Sequence, residues 1–370
     1  MRASAAAISL SIFMAFAPSS FAQSADEFPP DDETMYGAGL DNIPEQYLEN
    51  LELDPGTLPG AGTLTQGMPD FASRVYLPNL EWKVSEVSAA LYGGTNETYS
   101  LIESAAQEWT QYAKGKFRFN FRNLDNSFRQ WVPDDVRPKG TPLATSPAAD
   151  LRIRVDDNSG GYWAATGRTA LNTKAYSPGA ATMNLGGFVR KLAAFYKDKN
   201  GTRSLDKNAW LHSYYHSTAL HELGHALGLA HEQFHGSCQS DLKLDPDHGY
   251  MPKKTKLGAN SVRYEQDDDD RSPGAILYMR GLNNWSDKQA RAQVVASEYF
   301  QKSTAKVLQS PAIDQTSVML YWFPPYVFRS GTKSPCTNLG DGGKSKGYRF
   351  ATHLSPNDIQ YFQQKYGGAP

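Results

Sequence analysis

Only two cysteines, Cys238 and Cys336, occur in 370 residues. That is too few to staple a disulfide-framework domain, so the folding free energy has to come from burial of apolar side chains. Long apolar runs are missing as well. The stretch from Ala5 to Ala17 has roughly 13 residues against the ~20 that a membrane-crossing helix needs, so no stable membrane insertion is expected. Lys and Arg are absent from Gln23 to Ser73, where eleven Asp or Glu residues stand. Nowhere are basic residues clustered and interleaved with aromatics, which sets nucleic acid aside as a partner. No internal repeat is present, and repeat architectures drop out with it.

What is present is globular. Hydrophobic residues make up 40% and charged residues 21%, enough for one large domain or two smaller ones. Arg2, the apolar run, and small residues at Ser20 and Ala22 have the layout of a secretory signal peptide over residues 1–22, with cleavage before Gln23. Export would place the protein outside the cell or in a periplasm, where Cys238 and Cys336 can persist as a disulfide; two separate buried thiols are the alternative. Residues 23–73, acidic and broken by Pro29, Pro30, Pro44, Pro55 and Pro59, read as a pro-segment or linker, or as a solvated tail with no regulatory role. Without them and Arg2, 36 basic residues face 28 acidic ones, so the remainder carries about +8.

Periodicity sets in after Arg74, and residues 74–370 form the expected folded domain. Leu80, Trp82 and Val84 alternate with Glu81 and Lys83, which predicts a half-buried strand. Leu101, Ile102, Ala105, Ala106, Trp109, Tyr112 and Ala113 follow at helical spacing, with Gly115 as a stop. Phe117 to Phe121 and Leu151 to Val155 alternate apolar with polar and predict two further strands; Ala181 to Leu185 predicts an edge strand. A second helix is predicted from His212 to about Gly228. Beyond it the chain to Ser310 is largely polar, and Glu265 to Asp270 reads as a hydrated loop rather than a calcium loop, lacking interleaved Gly and Asn. Ser355, Pro356 and Gly367 bracket a final helix as cap, first residue and stop.

The chemistry is concentrated in His221-Glu222-Leu223-Gly224-His225-Ala226-Leu227-Gly228-Leu229-Ala230-His231, which matches H-E-x-x-H-x-x-G-x-x-H at every fixed position. From this composition the pattern arises by chance with a probability on the order of 10⁻⁵. Four residues apart, His221 and His225 share one helix face and can reach a single tetrahedral ion. Gly228 can take a positive φ, turning the chain so that His231 arrives as third ligand. One catalytic Zn²⁺ held this way keeps a fourth position for water, and Glu222 is placed to take the proton of that water. A structural zinc would close that position with Cys or His. His212 and His216 form a rival pair with no following Glu and no third histidine; they read as surface or supporting residues, and His235, His248 and His353 have no telling spacing.

These residues resemble the metzincin clan of zinc peptidases, and within it the astacin-like branch. Glu232 directly after His231 is similar to the astacin signature, and Ser317-Val318-Met319-Leu320-Tyr321 to that family's Met-turn. The resemblance covers about Arg74 to Gly367. It implies an α+β, metzincin-type two-lobed catalytic domain, with a twisted mixed sheet, two helices above the cleft, and an irregular lower lobe ending in a C-terminal helix. It also implies an endopeptidase acting on protein or peptide substrates laid along an edge strand. Met319 would lie beneath the zinc, Tyr321 would be a weak ligand and oxyanion donor, and Glu232 would meet a new N-terminus near Arg74. Three features depart from the family. The four-cysteine pattern of animal astacins is absent, as is a clear F-x-G-D aspartate, and both cysteines follow the zinc motif, which excludes a matrixin-style cysteine switch. The reading from a different class is a catalytically silent binding protein on the same fold, against which Glu222 beside three intact ligands argues.

Overall fold

The first strand, β1 (Glu86–Tyr92), begins beyond the alternation of Leu80, Trp82 and Val84 that predicts one. The computed structural model describes residues 80–199, 202–257, 261–299, 311–338 and 350–367; the expected signal peptide, acidic segment and N-terminus near Arg74 lie outside these. Leu80 and Trp82 are buried as their period requires, but Val84 is exposed. Their backbone has other partners: Leu80 O accepts Arg168 N–H, and Trp82 N–H donates to the Tyr366 hydroxyl. β1 itself is hard to see in the sequence because Ala89, Ala90 and Leu91 are all buried, and a strand covered on both faces does not alternate.

Helix α1 (Asn96–Thr110) is capped by Thr95, whose hydroxyl accepts Thr98 N–H. It buries Leu101, Ile102, Ala105, Ala106 and Trp109, the stripe its spacing predicts. β2 (Arg118–Asn120), β3 (Leu151–Arg154), β4 (Tyr162–Ala164) and β5 (Met183–Leu185) complete a five-stranded sheet in the order β2-β1-β3-β5-β4. All neighbours are parallel except β4 and β5. The Ala181 to Leu185 segment is therefore not the edge. β5 pairs on both sides, Ile153 with Met183 and Trp163 with Asn184, and the short β4 ends the sheet.

Helix α2 (Phe188–Ala193), the antiparallel pair β6 (Tyr196–Lys199) and β7 (Thr202–Leu205), and α3 (Lys207–Leu211) lead to the motif helix α4 (Tyr214–Ala226). His212 caps the end of α3 and so is not on α4, where the sequence reading placed it. After α5 (Gly236–Asp241) come the paired strands β8 (Lys253–Lys256) and β9 (Val262–Glu265), then α6 (Gly274–Asn283), α7 (Asp287–Val294), α8 (Ala296–Tyr299) and α9 (Pro356–Tyr366). The region read as largely polar thus holds real helices. α7 is announced by a capping box, Ser286 with Gln289, and α6 by Ile276, Met279 and Leu282 at helical spacing. The acidic run is a turn built on Asp267, which takes backbone N–H groups of Met251, Asp269 and Arg271 and the Arg271 guanidinium. Burial pushes this carboxyl up, but those donors outweigh it and hold it at about 2.

Two cores result. The sheet, α1, α4 and α9 share one; α6, α7, Tyr321, Phe323, Phe328 and both cysteines share the other. Cys238 and Cys336 are bonded across a sequence separation of 98, with Cα atoms 5.4 Å apart. In the chain-entropy picture such a closure contributes about 4–5 kcal/mol. Replacing both cysteines by serine is expected to lower the unfolding free energy read from urea titration by that much, with a lower midpoint and a slope that rises as the unfolded chain is released. An unchanged midpoint would mean that the bond does not constrain the unfolded chain.

Candidate metal centre

Helix α4 starts at Ser213, whose hydroxyl accepts His216 N–H at 3.1 Å. It is buried along nearly all its length, from Tyr214 to Ala226. Its C-terminal carbonyls, which no helical N–H can reach, are met in turn. Leu229 N–H bonds Gly224 O and Gly228 N–H bonds His225 O, a Schellman closure. Trp82 Nε1–H donates to Ala226 O at 2.7 Å, and the Tyr366 hydroxyl to Leu227 O at 2.8 Å. Burial raises the Tyr366 pKa, although the Trp82 N–H it accepts works the other way, so the phenol stays a neutral donor.

Gly228 has φ +99°, the left-handed turn that its position after the second histidine predicts. A Cβ there would meet only ordinary contacts, so the cost of a side chain is backbone strain. Gly228→Ala is expected to lower stability by ~1–3 kcal/mol. Because the turn delivers His231, zinc affinity should also fall, by about 10- to 100-fold in competition with a chelator of known strength, as when the support of a ligand is lost. Unchanged affinity would separate the turn from the ligand.

The three histidines meet in the buried interior. Nε2 of His225 lies 3.1 Å from Nε2 of His221 and 3.1 Å from Nε2 of His231. His221 Nδ1 faces Val318 O at 2.6 Å, and His225 Nδ1 faces Leu229 O at 2.8 Å. Carbonyls only accept, so each Nδ1 carries the proton and each Nε2 turns a lone pair inward. Converging lone pairs repel unless a cation lies among them. Nitrogens at 2.0–2.1 Å from a tetrahedral zinc would sit ~3.3 Å apart, so the donor set fits that ion. Glu222 follows His221 on the helix and is fully buried.

The segment 317–321 packs beneath. Ser317 Oγ accepts Met319 N–H at 2.8 Å, and Met319 O accepts Glu232 N–H at 2.9 Å. A Cβ on Gly224 would collide with Met319 Sδ, so the glycine inside the motif lets the methionine come up against the helix. The Tyr321 ring lies 4.4 Å from that of His231 and 5.9 Å from that of His221. Its backbone N–H is held by Gln233 Oε1. Glu232 is buried, and its Oε1 accepts Asp314 N–H at 2.9 Å; the N-terminal amine expected to meet it lies outside the described residues.

Several supporting residues escape sequence reasoning. Asp358 accepts Val318 N–H, the Ser317 hydroxyl and Ser355 N–H, which ties the start of α9 to the peptide that orients His221. The Ser355 cap is legible, but nothing in its spacing says what else Asp358 holds. Trp109 Nε1–H, donated to Leu220 O, and Gln233 belong to the same set. Among the described residues a second group of potential ligands comprises Glu108, His216 and His353.

No family model matches the chain, and no curated protein matches it. Among solved structures it is similar to myroilysin, at 19% identity over 80% of this chain and 100% of that one, with a TM-score of 0.43. A second myroilysin structure covers 89% of this chain and 98% of its own, at 19% identity and a TM-score of 0.38. The third is high choriolytic enzyme 1, a hatching enzyme zinc-protease of the medaka fish Oryzias latipes, at 13% identity over 83% and 99%, TM-score 0.33.

Proposed function

We propose that this chain is a secreted zinc endopeptidase, astacin-like within the metzincins, with residues 74–370 as its catalytic domain and residues 23–73 as a pro-segment or linker. One observation carries the reading: three buried Nε2 atoms converge, two with Nδ1 locked on a backbone carbonyl, and a buried carboxylate, Glu222, follows the first of them on the helix. A purely structural site has no use for that carboxylate.

His221, His225 and His231 would hold one zinc ion. When bound, zinc supplies Lewis acidity, bringing the pKa of a water in the remaining position to about 7 and polarising a carbonyl. Glu222 takes the proton of the attacking water and hands it to the departing amine. The polypeptide substrate lies extended along β4, the end strand of the sheet, which packs against α4; main-chain hydrogen bonds along such an edge bind any sequence and leave selectivity to side-chain pockets. An exported location, extracellular or periplasmic, is supported by the Cys238–Cys336 bond. No helix among the described residues is long and apolar enough to cross a membrane.

The test is cleavage of casein and of a proteome-derived peptide library by the zinc-loaded protein, with and without a chelator. Cleavage lost on chelation and restored by zinc is expected, and sequencing the products reads the subsites. A folded, zinc-loaded protein that cuts nothing would leave the silent binding protein as the better reading.

A further inference from the structure

His216 is not a surface residue. It is 1% exposed on α4, and its Nδ1 faces two carbonyl oxygens, Thr352 O at 2.9 Å and Leu211 O at 3.2 Å. Nδ1 therefore carries the proton, and Nε2 points at Glu108 Oε2, 3.3 Å away. The other carboxylate oxygen of Glu108 faces Nδ1 of His353 at 3.7 Å, longer than a hydrogen bond. The three ligand atoms lie within 4.8 Å of one another. Leu354 N–H donates to Glu108 Oε1 at 3.3 Å, a bond that favours the carboxylate form.

We propose that Glu108, His216 and His353 form a second metal site, for a divalent transition ion of the zinc type, that ties α1, α4 and the segment preceding α9. A carboxylate and an imidazole lone pair face each other at the separation that two ligands of a tetrahedral ion adopt, ~3.3 Å. Nδ1–H on a backbone carbonyl is how ligating histidines are oriented, and it is the arrangement His221 and His225 have at the first site. Imidazole with carboxylate suits zinc over magnesium or calcium. The site is a separate one: His216 and His221 are five residues apart on α4, hence roughly 140° apart around the helix. His353 is 46% exposed in its side chain, which gives the ion a way in. The His212 ring, 5.6 Å from that of His353, stands at the open side.

The ion has a structural task. Leu354 and Ser355 follow His353, and Ser355 pairs with Asp358, which holds the Val318 peptide under His221. Fixing His353 fixes the start of α9.

The experiment is metal stoichiometry on the full chain, equilibrated with micromolar Zn²⁺ and freed of loose metal. Wild type is expected to hold about two zinc ions per chain, and His353→Ala and Glu108→Gln about one. His225→Ala should lose the other ion and retain this one, which separates the two sites whether or not the protein proves to be a peptidase. Added zinc should raise the Tm of wild type but not of His353→Ala once the first site is full, by mass action on the folded state. One ion in wild type, or two in His353→Ala, overturns the proposal and leaves a His216–Glu108 ion pair bridged by a proton.

Discussion

Replacing Glu222 by alanine is expected to reduce turnover by about 10⁴-fold while the protein keeps the zinc held by its three histidines. The two halves of this expectation have different origins. Zinc is kept because the ligands have supports of their own: His221 is held by Val318 O, His225 by Leu229 O, and His231 arrives by way of the Gly228 turn. Turnover is lost because water has no other carboxylate on α4 to take its proton, and the departing amine loses the same group as its acid. The effect stands at the upper end for a general base because one residue serves both transfers. Zinc content, Tm and kcat/KM measured on one preparation separate the cases. Near-normal turnover at full zinc content would remove Glu222 from the mechanism, and loss of zinc with activity would make it a packing residue of the helix.

The convergence of the three histidines is legible in the sequence because its geometry is local. His221 and His225 need only one helical turn between them, and His231 only a glycine that reverses the chain; no distant residue has to be placed. The supports are not local. Asp358 reaches Val318 across 40 residues, and Trp82 reaches Ala226 across 144, distances at which a sequence carries no period. The same contrast runs through the fold. α1 and α4 declare themselves by spacing and α9 by its cap as well, whereas β1 hides because both its faces are covered. The order of the sheet follows from pairing alone, which is how β5 is inner and β4 ends the sheet. His216 is a further case. It stands four residues after His212 in the sequence, yet the end of α3 intervenes and its partners are Glu108 on α1, Leu211 in α3 and Thr352.

Removing one oxygen atom, by Tyr321→Phe, is expected to lower kcat by about 10² to 10³ with KM little changed. Tyr321 is packed on two sides, against the imidazoles of His231 and His221 and against Phe323 at 6.2 Å. Its ring therefore belongs to the second core as well as to the site, and ring packing alone does not decide between structure and chemistry. Phenylalanine keeps the ring. The backbone stays as well, since Tyr321 N–H is held by Gln233 Oε1 and Leu320 O by the Asn338 amide at 2.6 Å. What goes is a phenol hydroxyl carried by a ring stacked among the ligands, from which it can donate to the oxyanion formed as water adds to the carbonyl. That bond is realised mainly in the transition state, so its loss falls on kcat rather than on substrate affinity. A rise in KM at constant kcat would instead make the hydroxyl a ground-state contact. An unchanged kcat in a folded, zinc-loaded variant would return Tyr321 to the core, where its packing against Phe323 and the two imidazoles accounts for an aromatic side chain without any part in the reaction.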